Sequence, residues 1–172
     1  MRILAFVLSA AVLSACTVPP TGGTSTPRAT VSAGTVLLAR SGLIVEDSRD
    51  SLVTFGTQLS VVEARVTPIL GPVLSRTSNS ECGAGTISFT EFSDITLNSQ
   101  NGELVGWTTD DTALRTDAGI RVGSGEAVVS AAYTTKFDQG SLGREFEAEG
   151  FYGIIENGSV STFWAGTTCN FR

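Results

Sequence analysis

The sequence predicts an α+β protein made of two repeated modules, each a short helix packed on a small antiparallel sheet. Three observations carry this expectation. A Gly-Thr or Gly-Ser step recurs before two helical runs, and an Asn-Gly dipeptide recurs between apolar runs. An apolar fraction of 41 % is also enough for a core.

The chain opens with an apolar run. Met1-Arg2 supplies one positive charge, and Ile3 to Leu13 is apolar except for Ser9. Eleven residues at helical rise span roughly 16 Å, about half a bilayer core, so the run is too short to cross a membrane. It reads as the hydrophobic part of a secretory signal peptide over residues 1–15. The run ends in Leu13-Ser14-Ala15-Cys16. With this ending it resembles bacterial lipoproteins, whose lipobox is an aliphatic residue, two small residues and a cysteine. The resemblance implies that Cys16 is fatty-acylated after cleavage and anchors the chain in a membrane, where two or more acyl chains hold stably. An ordinary cysteine just past a standard cleavage site is the other reading. In Gram-negative members of that family, an Asp after the cysteine favours the inner membrane. Thr17 stands there instead, which implies the outer membrane, facing the periplasm.

Residues 16–35 continue as Pro, Gly, Ser, Thr and Ala, with only isolated valines and one Arg. Such a segment has no face to bury and reads as a flexible tether. Beyond it lie two expected modules, 36–112 and 113–172. Val53-Thr54-Phe55-Gly56-Thr57 aligns with Ile120-Arg121-Val122-Gly123-Ser124, in each case a short strand followed by a helical run. Thr57 and Ser124 are placed to cap those helices, and Ser60 with Glu63 offers an alternative capping box. Apolar positions 59, 62, 66, 69 and 70 give the first helix one buried face. Pro68 is a candidate early stop, and Gly71-Pro72 a firm one.

After each helix comes a hairpin. Asn101-Gly102 lies between Ile95–Leu97 and Leu104–Trp107, and Asn157-Gly158 between Phe151–Ile155 and Val160–Trp164. Asn-Gly tolerates the positive φ of a type I′ turn, so both are expected to join antiparallel strands. Each module therefore reads as strand, helix and about three strands. In layout this resembles the small lipoprotein of the outer-membrane β-barrel assembly machinery. It also resembles the secreted β-lactamase inhibitor proteins, built as a tandem of such repeats. No functional residue of either family carries over.

Cys82 and Cys169 remain once Cys16 is set aside, and in an oxidising envelope an even pair reads as a disulfide. If the tandem holds, that bond joins the sheet of the first module to the last strand of the second. A free reactive thiol is the rival reading, but neither cysteine has a cationic neighbour or a CxxC partner.

The chemistry that composition leaves open is narrow. With no histidine among 172 residues, Ser-His-Asp and Cys-His sites are excluded. A net charge of −6, or −7 once Arg2 is lost with the signal (10 basic against 17 acidic), argues against nucleic acid. Lys136 lacks Ser-x-x-Lys spacing. Glu145, Glu147 and Glu149 alternate like a wet strand face, though paired carboxylates serve glycoside hydrolysis. Asp110, Asp111 and Asp117 suggest a cation site but lack Asp-x-Asp-x-Asp-Gly spacing, and Arg115 lies between them. Gly119, Gly123 and Gly125 form no phosphate loop. No cofactor or metal is expected.

The last candidates are aromatic. Trp107, Phe163 and Trp164 fall on the last strand of each module, with Phe151 and Tyr152 on a hairpin partner. They are either core or an exposed surface for protein recognition; Phe163 and Trp164 must point to opposite faces. The expected function is a lipid-anchored, non-catalytic envelope protein that binds another envelope protein or supports envelope assembly. The alternative is a carboxylate-based enzyme or a small-ligand-binding lipoprotein.

Overall fold

The computed structural model describes residues 34–46 and 52–169. The apolar leader, Cys16 and the tether before Gly34 lie outside the described residues. The chain first forms a three-stranded antiparallel sheet from β1 (Thr35–Ala39), β2 (Gly42–Glu46) and β3 (Leu52–Thr54). Helix α1 (Leu59–Leu70) follows, then β4 (Ser75–Asn79), β5 (Ile87–Glu91), β6 (Thr96–Gln100) and β7 (Glu103–Thr109). Helix α2 (Glu126–Ala132) leads to β8 (Thr135–Gly140), β9 (Gly143–Ala148), β10 (Phe151–Glu156) and β11 (Ser159–Gly166).

The fold is thus α+β, but its sheets are not two small separate ones. Strands β4 to β11 form one eight-stranded sheet in the order β4-β5-β6-β7-β11-β10-β9-β8. Two four-stranded meanders join at the antiparallel pair β7–β11, where Ala165 faces Trp107 and Phe163 faces Thr109. Neither the three-stranded sheet nor the fourth strand after each helix was expected. The stretch Ile120–Val122 is also not a strand. There Thr116 N donates to Ile120 O (2.8 Å) and Ile120 N donates back to the Thr116 side-chain Oγ1 (3.1 Å), which closes a turn.

The Asn-Gly hairpins form as expected, with φ of 52° and 82° at Asn101-Gly102 and 51° and 79° at Asn157-Gly158. They also cap the helices. Leu59 N donates to Gly102 O (2.8 Å) and Glu126 N to Gly158 O (3.2 Å), so each turn carbonyl satisfies a helix N-terminal amide. The expected side-chain caps are therefore not used: Gln58 and Gly125 stand at the N-cap positions, with no side-chain cap bond. Glu63 bonds to Arg76 instead of closing a capping box. Pro68 does not shorten α1, which runs on to Leu70 and buries Val62, Val66 and Leu70.

One face of the large sheet carries the core. Leu97, Leu104, Trp107, Phe146, Phe151, Val160 and Phe163 pack with the buried residues of both helices and with Val36, Leu38, Leu43 and Val45 of the small sheet. Trp107 sits at the centre and is fully buried. Its indole Nε1–H is shared between Ala39 O and Gly42 O, 2.9 Å each, which flank the β1–β2 turn. Its ring lies edge-on to Phe163 at 5.4 Å and tilted to Phe151 at 6.2 Å.

Replacing Trp107 by Phe keeps an aromatic ring but leaves two carbonyls without their donor. It is expected to cost about 1–3 kcal/mol, and Trp107→Ala about 3–5 kcal/mol, read as shifts of the urea unfolding midpoint. A Phe variant as stable as the parent would show that the indole N–H does not hold the small sheet.

Candidate functional site

Two β-bulges decide which residues face outward. In β6–β7 the register shifts between Asn98 and Ser99, with Val105 as the extra residue. In β10–β11 it shifts between Ile154 and Ile155, with Ser161 extra. Each bulge turns the following residues over, so Leu104 and Trp107 share the core face, as do Val160 and Phe163. The same step places Trp164 opposite Tyr152 and Thr108, on the face away from the helices.

That outer face has two unlike halves. Over β6–β7 it is crossed by the chain's own C-terminal segment. Thr167 N donates to Val105 O (2.8 Å), and Asn98 Nδ2 donates to Thr167 O (3.0 Å). The backbone passes so close to Gly106 that a Cβ there would lie 2.3 Å from Thr167 O, so only glycine fits. The segment ends on the expected Cys82–Cys169 disulfide, S–S 2.01 Å, which ties it to the β4–β5 loop. Asn98 is buried beneath the crossing, and its Oδ1 lacks a protein partner.

Over β8–β10, among the described residues, the outer face is more open. Tyr152 and Ile154 are half-buried, and Tyr152 stacks on Trp164 with centroids 6.3 Å apart and planes 18° apart. Glu147, Lys136 and Asp138 are exposed around them, Lys136 opposite Glu147 and Asp138 opposite Glu145 in the ladder.

Of the three aromatics offered as an interaction surface, none is exposed: Trp107 and Phe163 are 0 % and Trp164 5 % accessible. This corrects the surface reading. The first two fill the core against the helices and the small sheet, and Trp164 is covered on the other face, where Tyr152 stacks on it. On the outer face of β10 the partly exposed ring is that of Tyr152. Its signal in the sequence was the alternation of Tyr152, Ile154 and Glu156 with Phe151, Gly153 and Ile155 in β10.

The remaining candidates are scattered. Glu149 leaves the strand at φ 53° and accepts from Arg40 Nη1 (3.1 Å) and Thr134 N (3.2 Å), clamping a turn. Glu145 is buried, its Oε1 3.4 Å from Leu142 N. Asp111 and Asp117 accept from the backbone amides of Ala113 (2.7 Å) and Ala118 (2.8 Å) in local turns. Among the described residues no three His, Cys, Asp or Glu side chains are grouped to hold a metal ion.

A groove of about 460 Å³ lies beside the start of α1, lined by Leu59, Arg76, Ser78, Ser88 and Ser99 among others. At its edge Arg76 Nη2 donates to Glu63 Oε2 (3.0 Å), and Thr90 Oγ1 bonds to Glu63 Oε1 (3.1 Å). The Arg76 hydrogen bond is the largest influence on Glu63 and holds its carboxyl below the ordinary 4.5, against the opposing effect of burial. Its charge is thereby paired at the edge of the groove.

A carboxyl whose pKa is lower folded than unfolded stabilises the fold above the unfolded value and loses that contribution as pH falls through the folded one. Arg76→Gln is therefore expected to cost at most about 1 kcal/mol near pH 7, given the exposure of the pair. The gap to the parent should close as pH drops below 4.5, the ordinary carboxyl value. Urea midpoints of both proteins between neutral pH and the acid limit test this, and a gap constant with pH would count against the pair.

No known protein family model, curated protein or solved structure matches this chain, so no site residue or ligand comes to it through similarity.

Proposed function

We propose that the chain is a lipid-anchored envelope protein whose folded part binds another protein through the open half of its sheet, without catalysis of its own. The observation that carries this reading is the uncovered strand surface at Tyr152 and Ile154, with Trp164 stacked behind Tyr152. An aromatic backed by a buried ring loses little entropy on contact, which suits it to anchor a protein interface. The lipobox sequence, the tether and the Cys82–Cys169 bond agree with export to an oxidising compartment.

The body is read as a duplication of one unit, a helix followed by four strands. Support comes from bonds that recur in both halves. Gly56 N and Gly123 N donate to Leu104 O and Val160 O (2.8 Å each), and Leu104 N and Val160 N donate back to Thr57 O and Ser124 O (2.9 Å each). The two bulges also fall at equivalent places. A second reading, a small-ligand-binding lipoprotein, is favoured by the serine-lined groove beside α1, although no Asp or Glu is among its lining residues.

Two measurements test the proposal. Cys16→Ser is expected to move the protein from the membrane to the soluble envelope fraction and to abolish palmitate labelling; unchanged fractionation sinks the anchor. A photo-crosslinking residue placed at 152 or 154 in the full chain in cells is expected to give a discrete protein adduct, absent when it stands at exposed Asp110. Adducts from neither position, or equally from all three, would reject the binding surface.

A further inference from the structure

Resting on the protein-binding reading above, the geometry points to one class of partner: the open half of the outer sheet face takes an extended, cationic protein segment with an apolar side chain.

The other half of this face is already occupied. Over β6–β7 a piece of this chain's own backbone crosses the same face, seated on Gly106 and held by Asn98. The equivalent positions across the β7–β11 joint, counted from the matching bulges, are Thr162 and Ile154. Thr162 carries the Cβ that Gly106 lacks, so a main chain cannot approach the sheet there as Thr167 does. Ile154 replaces the amide donor with an apolar side chain. The two halves share a shape but not a chemistry, and the second half is suited to contacts through side chains. An incoming segment meets Ile154 and Tyr152 with its apolar groups.

Charge selects the partner as well. Along the outer positions of β8–β10 stand Asp138, Glu145, Glu147 and Glu156 against Lys136 alone, a sum of one minus four, or −3. The carboxylate of Glu145 is folded back on the β8–β9 turn and Asp138 Oδ1 accepts from Gln139 N (2.8 Å), while Asp138, Glu147 and Glu156 are all exposed on the strands around the apolar centre. A nucleic acid, an anionic lipid surface or an acidic protein is repelled by this rim, whereas Lys or Arg side chains are drawn to it. The Tyr152 ring adds a π face for one such cation. These carboxylates flank the apolar centre instead of converging, and among the described residues none belongs to a metal-holding group. That arrangement fits several cations spaced along a chain better than one small ion.

The test uses the full processed chain in non-ionic detergent and two fluorescent probes, extended peptides alternating Lys with Phe or Glu with Phe. Anisotropy is expected to show binding of the lysine peptide, weakened by raised salt, and none of the glutamate peptide. Asp138→Lys with Glu147→Lys should weaken the lysine peptide at least about tenfold. Asp110→Lys with Glu81→Lys makes the same change in net charge at exposed sites elsewhere and should leave binding nearly intact. Equal loss in both double variants, equal binding of both peptides, or no binding of either overturns the cationic assignment. The crosslinks from positions 152 and 154 separate the two levels. If they persist in Asp138→Lys/Glu147→Lys, the binding surface stands and only the partner's charge was misassigned; if they are absent from the parent as well, the surface itself fails.

Discussion

The hydrogen bond from the Trp107 indole to the β1–β2 turn is the contact on which the architecture converges. A buried N–H has to find an acceptor, and inside an all-antiparallel sheet the neighbouring carbonyls are already committed to the ladder. Trp107 meets this need by reaching out of its own sheet to Ala39 O and Gly42 O. Its ring then lies against Phe163 of β11 and Phe151 of β10, while its backbone faces Leu97 on β6 and Ala165 on β11. One residue thus holds together the small sheet, both meanders and the joint between them. The β1 edge is in turn covered by the linker, with Leu38 N donating to Arg115 O at 2.9 Å. The three-stranded sheet is therefore a lid on the core face, placed over the seam between the halves.

Trp107 can serve this role only because of the bulge beside it. Two-residue turns at Asn101-Gly102 and Asn157-Gly158 set a register in which Leu104 and Trp107, three residues apart, would point to opposite faces. Val105 and Ser161 each add one residue and bring the later aromatic round to the core. This explains what the sequence made legible. The hairpins were readable because positive φ at Asn-Gly is a local demand. The disulfide was readable because two cysteines remained once Cys16 was set aside. The side to which Trp107, Phe163 and Trp164 point was not, since it depends on bulges whose residues, Val105 and Ser161, carry no common signature.

The helix caps show a second way in which local rules were overridden. Thr57 and Ser124 are good capping residues by type and place, yet the amides of Leu59 and Glu126 bond to the carbonyls of Gly102 and Gly158. A turn brought near by tertiary structure supplies the acceptor, and Ser124 Oγ is left to accept from Arg121 N (3.1 Å). The recurring Gly-Thr/Ser and Asn-Gly motifs were visible separately. That they touch in both halves, at Leu104 and at Val160, became visible only in three dimensions. The candidate site was least legible of all: Tyr152 was grouped with Phe151 among aromatics that could be core or surface, and Ile154 figured only as part of a strand.

A symmetric sheet would offer the same surface twice, and the C-terminal segment removes that symmetry. It covers the β6–β7 half, where Gly106 admits its backbone and Asn98 meets its carbonyl, and the Cys82–Cys169 bond closes a chain separation of 87 residues over it. Closing so long a loop removes about 4–5 kcal/mol of unfolded-state entropy in the chain-entropy account. A crossing secured in that way keeps the β6–β7 half covered. On the β8–β10 half, Thr162 and Ile154 replace the two residues that hold the segment, and acidic side chains surround what stays open. The substitutions that prevent a second self-crossing are therefore the same ones that give the open half its apolar centre, so closure of one half and availability of the other follow from a single difference between the two meanders.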